Sequence, residues 1–147
     1  MRKRKRLPNK PSKLIRIALK DLEDVENTPS LTVNMTEWLD NSYNYRNCQV
    51  CLAGSVMLKT LRVPVPRRGL KTWPGEGQAR ISERTAFKLY ALNNWKNGTI
   101  EDGLDNIGIR RPKGLRSVRK ITPYDTDPKK FKKGLIKLSA DFERFGL

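Results

Sequence analysis

The chain has no histidine and two cysteines, and aromatic residues fill only 7% of its positions. Without histidine, the commonest general acid and base is missing, and nucleophile triads built on it are excluded. Two cysteines are too few for the disulfide framework of a small secreted domain, so a reducing cytoplasm is the expected home. No apolar run approaches the ~18 to 20 residues that cross a bilayer, and no membrane contact is expected. The opening "MRKRKRLP" carries the charge of a signal-peptide start. The residues after it have no clean apolar centre, and acids stand where a cleavage site needs small residues, so it reads as a retained basic arm.

Acidic residues are also scarce: 15 Asp and Glu stand against 31 Lys and Arg in 147 residues, a net charge of +16. An anionic partner is the first implication, because an acidic excess would give solubility without attracting polyanions. The imbalance is uneven. Residues 1–12 hold six bases and no acid, residues 13–47 hold four bases and six acids, and residues 105–133 hold ten bases and three acids.

The length suits one domain, expected over residues 13–147 behind a disordered arm at 1–12. Leu14, Ile15, Ala18, Leu22 and Val25 repeat at helical spacing, with Pro11 and Ser12 as the helix start and Ser12 as its cap. "LTVNM" alternates as a short strand does. A helix over 48–62, apolar around most of its circumference, is expected to be the central one. Prolines and glycines break up 64–77. A third helix runs from a Ser82 cap through Trp95, and a short fourth one starts at Thr99 and is broken by Gly103. Asp127 and Pro128 start a fifth, whose Phe131, Leu135, Leu138, Phe142 and Phe145 make an apolar seam. The fold class is mainly α: a compact bundle of four to five helices with irregular basic loops and room for one short β-hairpin.

The pair Cys48 and Cys51 has the spacing of half a zinc site, but the chain offers no third cysteine and no histidine. A complete site would need two carboxylates or a second chain's cysteines, so no metal is expected within one chain. The run Cys51, Ala53, Gly54, Ser55 reads instead as small residues under a neighbouring helix, with Cys48 the more exposed thiol. Asp21, Glu23, Asp24 and Glu26 read as a solvated face, and "WPGEGQAR" lacks the context of a phosphate loop. No catalytic group and no cofactor emerge, and a non-enzymatic protein is expected.

"KLIRIALKDLEDVE" followed by "CQVCLAGSVMLKTL" resembles small uncharacterised bacteriophage-encoded proteins over residues 13–62. That resemblance implies a bacterial cell during infection, with a part in replication, host takeover or defence evasion. It carries no catalytic residue with it.

Bases interleaved with aromatics are the most informative feature. The arm residues Arg2, Lys3, Arg4, Lys5 and Arg6, the loop residues Arg67, Arg68, Lys71 and Trp73, and the segment Arg110, Arg111, Lys113, Arg116, Arg119 and Lys120 are the candidate contacts to DNA or RNA. The cations would meet phosphates, and the indole would stack on an unpaired base. The competing expectation is a protein-protein inhibitor or virion component docking on an acidic host or phage protein. Residues 128–145 would then supply the interface, or pair two copies into an oligomer.

Overall fold

A computed structural model of the chain describes residues 6–42, 47–74 and 80–147. Its elements run α1 (Pro11–Glu26), β1 (Leu31–Val33), β2 (Leu39–Asp40), β3 (Cys48–Val50), α2 (Leu52–Lys59), β4 (Lys71–Thr72), α3 (Glu83–Lys96), α4 (Ile100–Asn106) and α5 (Pro128–Arg144). The helices are as expected in number, but the single hairpin gives way to a small mixed sheet in the order β1-β3-β2-β4. β1 lies parallel to β3, with Leu31 opposite Cys48, while β2 runs antiparallel to both β3 and β4.

α1 and α5 form the framework. The five apolar positions read from the periodicity of α1 are all buried, as are Phe131, Leu135, Leu138 and Phe142 of α5. Burying these four α5 side chains is worth on the order of 6 to 12 kcal/mol. The Ser139 hydroxyl donates to the Ser12 carbonyl at 3.0 Å, and Ser12 donates its own hydroxyl to the Leu147 carbonyl at 3.1 Å. Trp95 of α3 meets Phe142 edge to face at 5.1 Å, closing the core over both helices. The α5 seam is thus filled by the chain's own core.

Four further expectations change. The helix over 48–62 is a strand followed by a shorter helix: Cys48–Val50 pairs in the sheet, and Cys51 is the N-cap of α2, its Sγ accepting from the Gly54 amide at 3.2 Å. Gly54 is small for the Trp38 carbonyl, whose oxygen lies 2.0 Å from where a Cβ would stand, so backbone rather than a helix passes close. Both thiols are buried, Cys48 included. α4 runs through Gly103, and its first amides, Ile100 and Glu101, donate to the Ser117 carbonyl while the Thr99 hydroxyl turns back to Asn94.

The domain also begins earlier than residue 13. Leu7 is buried, and the Lys88 ammonium donates to the Leu7 carbonyl and to Asn9, each at 2.9 Å. Residues 7–12, expected as part of a disordered arm, are thus held in the fold, and residues 1–5 lie outside the described ones. Among the described residues, no helix is long and apolar enough to cross a membrane.

Candidate nucleic-acid interface

The segment between α4 and α5 is held against α5 at three points. Ile121 packs on Gly134, Arg119 pairs with Asp141, and Gly114 sits 3.5 Å from the Phe145 ring, counted from the position a Cβ would take. The order of these contacts means that 114–121 runs antiparallel to the C-terminal half of α5. Gly98 fixes its other side: Arg119 donates its amide to the Gly98 carbonyl at 2.8 Å, and the Arg119 oxygen lies 1.8 Å from where a Gly98 Cβ would stand.

This arrangement sorts the six bases of the segment. Arg119 is tied to Asp141, while Arg111 pairs with Glu101 at 3.6 Å and donates to the Leu115 carbonyl. Those two brace the loop. Arg110, Lys113, Arg116 and Lys120 are exposed.

Beside them runs a row that the sequence reading missed. Lys130, Lys133, Lys137 and Arg144 follow one another at steps of 3, 4 and 7, which places them on one face of α5. That face adjoins the one carrying Gly134, Asp141 and Phe145, so the row lies next to the basic segment. The three lysines are exposed. Over 14 residues the row is about 21 Å long. The acids at that end of α5 are occupied: Asp141 by Arg119 and Arg144, Glu143 by Arg16. Lys129 and Lys130 stand in the first turn of α5, where the helix dipole disfavours cations and only the Asp127 cap opposes them, so helix stability does not call for them. The signal was present in the sequence as the acid-free spacing opposite the seam.

The root of the arm reaches the same region. Asn9, Arg84 and Phe87 share a cavity of about 570 Å³ with Ile107 and Ile109, immediately before Arg110. Arg6 is exposed, while Arg2, Lys3, Arg4 and Lys5 lie outside the described residues.

The other basic group is built on a different element, the β4 edge. Arg67, Arg68 and Trp73 are exposed there. Lys71 is placed by the sheet register directly across from Asp40, and its Nζ lies 3.2 Å from Asp40 Oδ2 and 4.0 Å from Glu37. Burial alone would raise the Asp40 carboxyl. Hydrogen bonds from Ser42 and from Lys71 outweigh it and hold the group below the usual range. Lys71 is therefore a structural partner inside the sheet, unlike its neighbours.

Burial shifts two thiols and two lysines elsewhere in the molecule. Burial, with the Asp40 charge behind it, pushes the Cys48 thiol up to about 11, and burial likewise raises Cys51. Both thiols are protonated at neutral pH and poor nucleophiles. Burial lowers Lys88 and Lys96, each of which donates to a backbone carbonyl, of Leu7 and Met35 respectively. Among the described residues, no three acidic, cysteine or histidine side chains are grouped to hold a metal ion.

Comparison of the chain with protein families, with characterised proteins and with solved structures gives no match.

Proposed function

We propose that the protein is a non-enzymatic nucleic-acid-binding protein that holds DNA or RNA through backbone phosphates. The observation that carries this reading is the joining of two acid-free basic elements, the α5 row and the 110–120 segment, into one surface. A stripe about 21 Å long matches a length of B-form duplex carrying on the order of 12 phosphates on its two strands. Lysine and arginine at that spacing neutralise phosphates and release counterions, a gain that requires no base readout. Asn9, at the root of the arm, lines one cavity with Ile109, the neighbour of Arg110. The resemblance of residues 13–62 to bacteriophage-encoded proteins fits such a protein acting in host takeover, replication or defence evasion inside a bacterial cell.

The test is purification at low salt with and without nuclease. Nucleic acid that copurifies, and leaves only above about 0.5 M salt, is the expected result. Protein that is clean at low salt, and that captures an acidic protein from nuclease-treated lysate, would replace this reading with a protein-docking one.

A further inference from the structure

A second concave site lies on the opposite kind of scaffold, between the end of α2 and the β4 edge. It has a volume of about 530 Å³, and Arg62, Arg67 and Arg80 line it together with Thr72, Val65 and Leu70. We propose that this pocket binds one nucleotide, with the phosphate held by Arg62 and Arg67 and the nucleoside body resting on Val65 and Leu70.

The volume falls in the range of small-molecule sites, and the lining has their usual character of apolar wall plus a few convergent polar groups. No acid lines it among the described residues. Guanidinium groups match the planar, bidentate geometry of phosphate oxygens better than ammonium groups do. Val65 and Leu70 are 50% and 45% exposed, an apolar surface that the fold leaves uncovered beside those charges. The wall is also held in place. Asn41 donates its backbone amide to the Leu70 carbonyl at 3.0 Å, accepts from the Gly69 amide at 2.7 Å, and donates its side-chain amide to the Pro66 carbonyl at 2.9 Å.

The backbone supplies an independent observation. Among the described residues, Arg62 and Arg80 alone have positive φ without being glycine, at 59° and 50°, and both line this one pocket. At Arg62 the left-handed turn ends α2, with Leu61 donating to Val56 at 3.0 Å and Val63 to Met57 at 2.8 Å. Glycine makes such a turn without steric penalty. The turn accounts for the conformation and leaves the arginine unexplained. Strain carried by residues that converge on one cavity is the pattern of a binding site.

The site stands apart from the α5 stripe, and each fails or survives alone. The experiment titrates the full-length protein, by calorimetry at fixed low salt, with a nucleoside 5′-monophosphate, with inorganic phosphate and with a short single-stranded oligonucleotide. Arg62→Gly is expected to keep or raise the melting temperature while weakening monophosphate binding at least tenfold. Arg67→Gln, at an exposed turn, should weaken it without altering stability. Inorganic phosphate should bind at least tenfold more weakly than the nucleotide, because it leaves Val65 and Leu70 bare. If Arg62→Gly also weakens the oligonucleotide, the nucleotide belongs to a strand; if only the monophosphate is affected, a free nucleotide is the ligand. Lys130, Lys133 and Lys137 changed to Gln should leave monophosphate binding intact, whatever becomes of duplex binding. No monophosphate binding by the unaltered protein, equal affinity for phosphate and nucleotide, or unchanged binding in both arginine variants would overturn the proposal.

Discussion

α1 and α5 are built alike and finished differently. Each begins with proline in its first turn, each buries one apolar face, and the two pack against each other. Toward solvent, α1 carries Glu23, Asp24 and Glu26, while α5 carries Lys129, Lys130, Lys133 and Lys137. Where the helices meet, the opposite charges pair: Arg16 with Glu143, Lys132 with Glu26, and the Tyr124 hydroxyl with Glu26 as well. The α5 lysines on the far side have no such use. The α5 lysines therefore stand exposed where α1 does not neutralise them.

The contrast between the helices breaks most completely if the shared core is opened. Phe142→Ala removes a fully buried ring that touches Trp95, and should cost about 3 to 5 kcal/mol in a denaturant titration. Gly98→Ala attacks the stripe from behind: φ is +85° and the Arg119 oxygen occupies the place of the new methyl. A loss of about 2 to 3 kcal/mol is expected, with weaker nucleic-acid binding as the basic segment shifts off α5.

Asp21 sharpens the contrast on the acidic side. Burial lifts its carboxyl from 3.8 to about 6, against the lowering effect of the hydrogen bond donated by Thr60 at 2.6 Å. The folded state therefore holds a proton there that the unfolded state releases earlier. This group's stabilising effect is full below pH 3.8 and is lost as pH rises to about 6. Asp21→Asn should gain about 2 kcal/mol over the parent protein at pH 7 and show no gain at pH 3.5. The smallest effect belongs to the seam: Arg16→Ala should cost under about 1 kcal/mol and less still at high salt, since the pair is solvent-exposed.

The long helices were legible because their apolar period is sustained and their ends are marked, by Pro11, by Ser82 and by Asp127 with Pro128. Ser12, expected as the cap of α1, is instead buried one position inside it and bonded to Leu147, a contact that depends on where the chain's last residue comes to rest. The sheet was hard to read because its strands are two or three residues long, too short to show alternation, and Cys48–Val50 is buried throughout. A short apolar run next to a helix is indistinguishable from its first turn by period alone. Of the site, the 110–120 segment was visible as composition. Its alignment with Lys130, Lys133 and Lys137 depends on Gly114, Arg119 and Ile121 docking on α5, which no local pattern encodes. Likewise Arg62 and Arg80, 18 positions apart in sequence, come together at one pocket only in the folded chain.

The central claim is that the exposed row on α5 touches phosphates, and the most direct measurement is duplex affinity against salt concentration for Lys130, Lys133 and Lys137 changed together to Gln. The triple variant is expected to keep its melting temperature, to bind unrelated sequences alike more weakly, and to show a log–log salt slope shallower by up to about 2.7, near 0.9 for each phosphate that is no longer neutralised. A folded triple variant with the parent's affinity and the parent's slope would contradict it.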